Sequence, residues 1–131
     1  MEFRPLIEAA KEASRRAYCP YSQFRVGAAV QGGSGKIYSG CNVENASYGL
    51  TICAERSALA RAVAEGETEI RAVAVFTPTP IPTAPCGACR QVLNEFGPDA
   101  AVVCACDGPE TLQTTLRELL PGAFGPKNLG K

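Results

Sequence analysis

The stretch PCGACRQVLNEF, residues 85–96, places two cysteines three residues apart at the start of a predicted helix. A Gly-Pro pair follows directly and predicts where that helix ends. Residues i and i+3 of a helix share one face, so Cys86 and Cys89 can bind the same metal ion. Helix N-terminal amides also stabilise thiolates. We therefore expect a helix over 86–96 that carries two metal ligands in its first turn.

A second predicted helix, residues 53–65, also begins with a cysteine. Cys53 would supply a third sulfur, and three thiolates from two helix starts can fill three corners of a tetrahedron around Zn²⁺. A structural zinc site fills the fourth corner with protein, whereas a catalytic site leaves it for water. Glu55 lies in the same first turn, where a carboxylate can take and return the proton of that water. We expect one Zn²⁺ per chain and Glu55 as the catalytic residue.

Two arginines adjoin these cysteines in the sequence. Three thiolates around Zn²⁺ leave the centre formally at minus one, which weakens the metal as a Lewis acid. A guanidinium that donates to a thiolate would partly restore that acidity. We expect this compensation from Arg56 first and from Arg90 second.

The composition restricts the alternatives, since the 131 residues include seven cysteines and no histidine. The lack of histidine excludes a Ser-His or Cys-His nucleophile, an imidazole base and an imidazole metal ligand. The odd cysteine count and the chain length argue against a disulfide scaffold, so we expect reduced thiols and a cytoplasmic location. The remaining cysteines are expected to take no part in the chemistry, although Cys41 is a possible fourth ligand. They are Cys19, Cys41, Cys104 and Cys106. Of these, Cys104 and Cys106 share one face of a predicted strand and are expected to be buried as small apolar side chains.

The charge balance indicates a small-molecule substrate. Lys plus Arg is 13 and Asp plus Glu is 13, so the net charge is zero, which argues against a nucleic-acid partner. There is no apolar run of about 18 residues to span a membrane. The charged N-terminal stretch lacks the apolar part of a signal peptide. The length predicts one domain over residues 1–131.

The remaining pattern predicts an α/β fold. A helix, a hairpin, then helix, strand, helix and strand imply a sheet that is at least partly parallel, with helices packed on it. The expected additional elements are a helix over 4–18, hairpin strands over 24–31 and 36–42, and buried strands over 70–77 and 100–106. Four prolines between the strand at 70–77 and Cys86 predict a stiff loop. In TLQTTLRELL, residues 111–120, leucines at helical spacing compete with threonines that favour a strand.

These motifs resemble those of the zinc-dependent nucleoside and nucleotide deaminases, and most closely the small homotetrameric cytidine deaminases. Cys53-Ala54-Glu55 followed by Pro85-Cys86 and Cys89 is similar to the deaminase signature in its three-cysteine form. The resemblance covers nearly the whole chain. It also includes the segments CPYSQFRVGAA (19–29), GCNVENASY (40–48), CGACRQVLNEF (86–96) and LLPGAFGP (119–126).

The resemblance implies a three-layer α/β/α sandwich around a five-stranded mixed sheet, with a strand near 111–116 and a short helix at 117–120. It implies hydrolytic deamination of cytidine and 2′-deoxycytidine to uridine and 2′-deoxyuridine, in pyrimidine salvage. Glu55 would carry a proton to N3 of the base and then to the leaving ammonia. The implied partners are a pyrimidine nucleoside and three further copies of the chain, in a homotetramer whose active sites are shared between subunits.

The resemblance also assigns substrate-binding residues. Asn42 and Glu44, which flank Val43, would hydrogen-bond a ribose hydroxyl, although the three could equally form a solvated strand edge. Phe24 would pack on the pyrimidine, or be a core aromatic, and the backbone of Ala54 would contact the polar edge of the base. The resemblance places four residues near a neighbouring subunit's site: Ala46, Ser47, Tyr48 and Phe124. The two aromatics among them could instead be ordinary surface or core residues.

Other functions remain open on the sequence. Deaminases of aminonucleoside antibiotics such as blasticidin S share the three-cysteine core, although the intact segment 42–45 favours cytidine. The zero net charge disfavours editing of a polynucleotide or a tRNA. A non-catalytic zinc module would need a fourth protein ligand, for which Cys41 is the candidate. A thiol-disulfide oxidoreductase would use the Cys-x-x-Cys pair without a metal.

Overall fold

A computed structural model of the protein describes residues 2–131. Five strands build one mixed sheet, and four α-helices accompany it. The strands are β1 (Gly27–Gly32), β2 (Ile37–Cys41), β3 (Ile70–Thr77), β4 (Ala101–Cys106) and β5 (Leu112–Thr115). The helices are α1 (Arg4–Ser14), α2 (Ala54–Ala64), α3 (Gly87–Phe96) and α4 (Leu116–Leu119), with short 3₁₀ turns at Tyr48–Leu50 and Pro126–Leu129.

The strands lie in the spatial order β2-β1-β3-β4-β5. Only β3 and β4 are parallel, and the proline-rich loop and α3 connect them. The pairs β1–β2, β1–β3 and β4–β5 are antiparallel. The expected five-stranded mixed sheet is therefore confirmed. The end of the chain forms the strand and the short helix that the family resemblance implied, and the hydroxyl of Thr115 accepts the Glu118 N–H where β5 gives way to α4.

The sheet separates two apolar clusters, which confirms the three layers. On one face, Leu6 and Ala10 of α1 pack against small side chains of the sheet, such as Ala72 and Ala74. On the other face, α2 and α3 cover Val73, Val75 and Val102 of β3 and β4, and Leu93 of α3 is almost fully buried there. Alternate residues of each central strand thus enter different layers. The site described below lies on the α2–α3 side.

Two glycines allow helices to cross the sheet at very short range. A methyl group placed at Gly27 would lie 1.8 Å from the Ala10 carbonyl oxygen of α1. One placed at Gly40 would lie 2.5 Å from the Ala58 nitrogen of α2. Contacts this short with backbone atoms leave no room for a Cβ. Gly40 therefore fixes how close α2, and the residues at its start, can lie to the sheet.

Two element boundaries differ from the sequence prediction. Helix α1 ends at Ser14 rather than at 18, because the guanidinium of Arg25 donates to the carbonyls of Arg15 and Ala17 and the chain then turns toward the sheet. Strand β1 begins at Gly27 rather than at 24. The side chain of Asn42 bonds the Phe24 carbonyl and the Val26 N–H in place of regular strand pairing, and a local sequence pattern cannot indicate this.

Among residues 2–131, no helix combines the length and the apolar character that crossing a membrane requires.

Candidate active site

Two helix starts bring the three predicted sulfur ligands together. Cys53 is the N-cap residue of α2, and Cys86 is the N-cap residue of α3, in each case with extended backbone before the first turn. Cys89 lies one turn into α3 and is fully buried. Both helices lie on one face of the sheet, and the contact between Cys53 and Cys86 shows that their N-termini meet there. The predicted grouping of Cys53, Cys86 and Cys89 is what the structure shows.

The geometry and chemistry of these sulfurs fit Zn²⁺. All three ligand atoms lie within 4.8 Å of one another, and the sulfurs of Cys53 and Cys86 are 3.9 Å apart. Two sulfurs bound tetrahedrally at about 2.3 Å from zinc are separated by about 3.8 Å. Burial and the nearby charge of Glu55 raise the pKa of Cys89, so a bound cation would favour the thiolate form of this buried sulfur.

Cys41 does not join the cluster. Its sulfur lies 3.5 Å from the carbonyl oxygen of Arg16, on the side of β2 that faces the turn after α1. The described residues therefore provide three cysteine ligands and no fourth from Cys41. This arrangement, with one corner of the tetrahedron free of protein sulfur, is typical of a catalytic zinc site.

The two arginines occupy different positions. Nη2 of Arg56 lies 3.4 Å from Sγ of Cys53, where it can donate a hydrogen bond. This bond to Cys53 is the main reason that the pKa of Arg56 is raised. Arg90 instead donates to two carbonyl oxygens, that of Pro85 at 2.8 Å and that of Leu119 at 3.0 Å. Its guanidinium points to the backbone before Cys86, because the Leu119 carbonyl of α4 lies on that side of α3. The expected bond between Arg90 and a thiolate is therefore not formed.

Glu55 lies beside the sulfurs in the first turn of α2. Its side chain is only 4% exposed, although it is a carboxylate. Burial raises the pKa of Glu55, and the charge of Arg56 partly opposes that shift. A carboxyl group whose pKa is raised in this way accepts a proton more readily than an exposed glutamate, as a residue that carries protons requires.

A cavity of about 260 Å³ opens onto Glu55 and the sulfurs. Its size is close to the lower end for small-molecule sites. Of the predicted site residues, it is lined by Phe24, Asn42, Glu44, Cys53, Ala54, Glu55 and Cys86. These come from four separate stretches of the chain, so the fold assembles one pocket from the motifs that the sequence singled out.

The two polar residues predicted for the ribose are held by backbone groups. The amide of Asn42 donates to the Phe24 carbonyl at 2.8 Å and accepts the Val26 N–H at 3.0 Å. The carboxylate of Glu44 accepts the N–H groups of Tyr21 and Ser22 and the Ser22 hydroxyl. The hydroxyl bond to Ser22 is the largest reason that the pKa of Glu44 is lowered, so this carboxylate is ionised at neutral pH. Both side chains are thereby fixed at the cavity wall.

Other predicted residues lie outside this cavity in a single chain. Val43 forms isolated bridges with Tyr18 and Ile52, and its side chain is exposed. Tyr48 is 74% exposed and lines a shallower depression beside the cavity, where its ring is 5.9 Å from that of Tyr21. Ala46 and Ser47 are exposed on the same loop, and Phe124 is 57% exposed near the end of the chain.

Several cavity residues were not singled out from the sequence. Ser22 lies in the segment 19–29 and also lines the cavity. Its position two residues before Phe24 is the sequence signal that could have indicated this. Thr83 and Ala84 come from the proline-rich loop, for which the sequence pattern predicts only a stiff connection. Thr51 precedes the Cys53 motif, and Val26 and Val75 come from the sheet side.

The remaining cysteines lie apart from the cluster. Cys104 is fully buried in the sheet, and that burial raises its pKa to about 12, which leaves the thiol neutral. Cys19 is also buried, whereas Cys106 is only half-buried. The expectation of burial therefore holds for Cys104 and is wrong for Cys106. Strand β4 ends at Cys106, so its sulfur lies among the flanking loops. There it contacts three carbonyl oxygens, the nearest being that of Glu110 at 3.5 Å.

Comparisons with known proteins agree with this site. Residues 3–106 match the family described as "Cytidine and deoxycytidylate deaminase zinc-binding region". The chain is 45% identical over 130 residues to a cytidine deaminase of Sporosarcina psychrophila, across 98% of this chain and 96% of that protein. The crystal structure of cytidine deaminase from Burkholderia pseudomallei is 51% identical, with a TM-score of 0.90 over 95% of this chain and 100% of that one. That from Mycobacterium tuberculosis is 40% identical, with a TM-score of 0.83 over 95% and 98% of the two chains. The chain therefore belongs to the cytidine and deoxycytidylate deaminase family.

Proposed function

We propose that this protein is a cytidine deaminase that converts cytidine and 2′-deoxycytidine to uridine and 2′-deoxyuridine. The observation that carries the proposal is the buried carboxylate of Glu55 beside three clustered sulfurs at one small cavity. The named relatives reported above act as cytidine deaminases, and their similarity extends over almost the whole of this chain. One sheet takes up elements from most of the chain, so we infer that residues 1–131 act as one domain.

Cys53, Cys86 and Cys89 would hold one Zn²⁺. When bound, the ion supplies a water of lowered pKa, and so a nucleophile at neutral pH. Glu55 accepts a proton from the attacking water and delivers it to N3 of the pyrimidine, which makes C4 electrophilic. The new C–O bond forms at C4, and Glu55 then takes the second proton of the former water from the new C4 hydroxyl. It delivers that proton to the amino group as the C–N bond breaks, so that ammonia leaves and the C4 carbonyl of uridine forms. Water and cytidine are thus consumed, and uridine and ammonia are formed.

Arg56 acts on this centre through Cys53. Its guanidinium withdraws electron density from the thiolate and offsets part of the excess negative charge of the three sulfurs. Arg90 acts at greater distance, because it fixes the backbone that leads into Cys86 through the Pro85 carbonyl. We assign both as positioning residues and not as groups that touch the substrate.

The cavity suits an uncharged nucleoside. Phe24 would pack on the pyrimidine, the backbone of Ala54 would meet its polar edge, and Asn42 and Glu44 would receive a ribose hydroxyl. The described lining of the cavity and of the adjoining depression contains a carboxylate at Glu44 but no lysine or arginine. A phosphate would therefore meet negative charge without a counter-charge, which favours nucleosides over nucleotides. The same contacts to the ribose favour cytidine over an aminonucleoside antibiotic.

A second proposal concerns assembly. We infer a homotetramer in which Ala46, Ser47, Tyr48 and Phe124 of one subunit lie near the site of a neighbour. The chain exposes several large apolar side chains, which an isolated subunit would leave in water and an interface could cover: Tyr48, Leu50, Ile52 and Phe124. A three-thiolate site requires reducing conditions, so we place the protein in the cytoplasm, in pyrimidine salvage. Light scattering should give a mass close to four times 13.7 kDa, and a monomeric, fully active protein would contradict shared sites.

The decisive test of the activity is the ultraviolet absorbance change of cytidine incubated with the protein. We expect conversion to uridine that stops when a zinc chelator removes the metal and resumes when Zn²⁺ is restored. Parallel assays with deoxycytidine monophosphate and blasticidin S test the competing substrates. Turnover of either one with no turnover of cytidine would replace the proposed substrate.

A further inference from the structure

We propose that Ser22 is a positioning residue for substrate recognition: its hydroxyl fixes the Glu44 carboxylate so that one lone pair of Oε2 receives a ribose hydroxyl. This inference rests on the proposed function and adds to it a residue and an atom. Both Ser22 and Glu44 line the cavity that contains Glu55.

The hydrogen bonds of Glu44 show which oxygen is free. Oε1 accepts the backbone N–H of Tyr21 at 3.0 Å and that of Ser22 at 3.1 Å, so both of its lone pairs are used. Within residues 2–131, Oε2 accepts only the hydroxyl of Ser22. A carboxylate oxygen has two lone pairs, and Oε2 therefore keeps one for a donor that enters the cavity.

The direction of the Ser22 hydroxyl is also fixed. Its oxygen accepts the N–H of Phe24 at 3.0 Å, a local turn in which a serine side chain bonds the backbone two residues on. Because an ionised carboxylate can only accept, the single hydroxyl proton of Ser22 must point to Glu44. Ser22 thus occupies one lone pair of Oε2, and the nucleoside hydroxyl donates to the other.

Ser22 connects the residues that would hold the base and the sugar. Through the Phe24 N–H it restrains the aromatic side chain assigned to the pyrimidine, and the Phe24 carbonyl is in turn held by Asn42. Gln23, between Ser22 and Phe24, has a φ of +59°, a left-handed conformation that L residues adopt only where surrounding contacts support it. The turn thus places Ser22 and Phe24 together on the cavity wall.

The proposed substrates limit which hydroxyl is involved. Since 2′-deoxycytidine is a proposed substrate, the 2′-hydroxyl is dispensable, and the donor to Glu44 Oε2 is the 3′- or the 5′-hydroxyl. Removal of that one hydroxyl from the substrate should abolish the effect of Ser22. The loss should appear in KM rather than in kcat, because the bond to the sugar does not change during the reaction at C4.

The experiment measures kcat and KM of the zinc-loaded wild type and of Ser22→Ala on 2′-deoxycytidine, 2′,3′-dideoxycytidine and 2′,5′-dideoxycytidine. We expect Ser22→Ala to raise KM for 2′-deoxycytidine about tenfold with kcat little changed, as for a lost hydrogen bond to a charged group. On one of the two dideoxy analogues, the variant and the wild type should have the same KM. Ser22→Thr, which keeps the hydroxyl, should restore tight binding, and Ser22→Cys, a weak donor, repeats the comparison if Ser22→Ala does not fold.

Ser34→Ala is the matched control. The Ser34 hydroxyl donates to Glu67, its N–H lies 3.5 Å from the same carboxylate, and its oxygen accepts the Lys36 N–H at 3.3 Å, all far from the cavity. This variant loses the same type of bond and should change thermal stability but not KM. An equal rise in KM on all three nucleosides, a fall in kcat alone, or no effect of Ser22→Ala would overturn the role of Ser22. A wild type that deaminates none of them would instead refute the proposed function, and the inference with it.

Discussion

Nη2 of Arg56 lies 3.4 Å from Sγ of Cys53, and both residues belong to the start of α2. The bond couples a permanent positive charge to one of three sulfurs that would share a single cation. A guanidinium in this position lowers the electron density that the sulfur gives to the metal, so the metal stays a stronger Lewis acid. The relationship arises within one helical turn, which is why the sequence could indicate it.

Replacement of Arg56 by alanine should lower kcat/KM by roughly 10- to 100-fold, the usual effect of losing an outer contact to a metal ligand. The acid limb of the pH–rate profile should move to higher pH, because water near a weaker Lewis acid loses its proton less readily. Arg61→Ala is the control, since Arg61 lies on the same helix but contacts the Ser39 carbonyl at 3.4 Å. An unchanged rate and pH profile in Arg56→Ala would show that the bond has no role in catalysis.

Replacement of Glu55 by alanine should leave about one zinc per chain but lower kcat by several orders of magnitude, because proton transfer and activation of the nucleophile both depend on it. Elemental analysis measures whether the zinc is retained, and a cytidine assay measures kcat, so the two parts of the prediction are checked separately. Glu65→Gln, at the exposed end of the same helix, should behave as the wild type. Near-normal turnover in Glu55→Ala would remove Glu55 from the mechanism.

The sequence predicted those parts of the site that depend on local spacing. Cys86 and Cys89 share a helical turn, and Cys53 and Glu55 share another, so their proximity follows from helix geometry. The bonds between Ser22 and Glu44 could not be predicted, because they join residues 22 positions apart through a turn that only the fold defines. The end of α1 was misplaced for a similar reason, since it depends on Arg25.

Acid should weaken the hydrogen bond between Ser34 and the Glu67 carboxylate, which lies outside the site. The hydrogen bond from the Ser34 hydroxyl is the main reason that the pKa of Glu67 is lowered, and burial opposes this shift. The Tyr38 hydroxyl, 3.1 Å from the carboxylate, adds to the lowering. A lowered pKa means that the ionised carboxylate stabilises the fold above the unfolded pKa of about 4.3 and that this stabilisation is lost as the pH falls below it. Glu67→Gln should therefore lower the melting temperature by several degrees at pH 7 and by less in acid.

Thermal denaturation of Glu67→Gln and wild type at equal protein concentration, at pH 7 and below about pH 4, measures this difference. Glu69→Gln is the control, because its carboxylate forms only an exposed pair with Arg71. Loss of zinc in acid affects both proteins equally and cancels in the comparison. A difference in melting temperature that grows as the pH falls would contradict the assigned direction of the pKa shift.

Gly40→Ala should destabilise the protein by about 1–3 kcal/mol, the usual cost of overpacking a close contact. Its added methyl would lie 2.5 Å from the Ala58 nitrogen, so α2 must move away from β2. Since Cys53 and Glu55 lie at the start of α2, the shift should also reduce kcat. Gly33→Ala is the matched control, because a methyl there would have an ordinary contact of 3.5 Å with the Glu69 side chain. Urea denaturation and cytidine turnover of both variants test the prediction, and equal stability of the two would show that α2 does not depend on the close approach at Gly40.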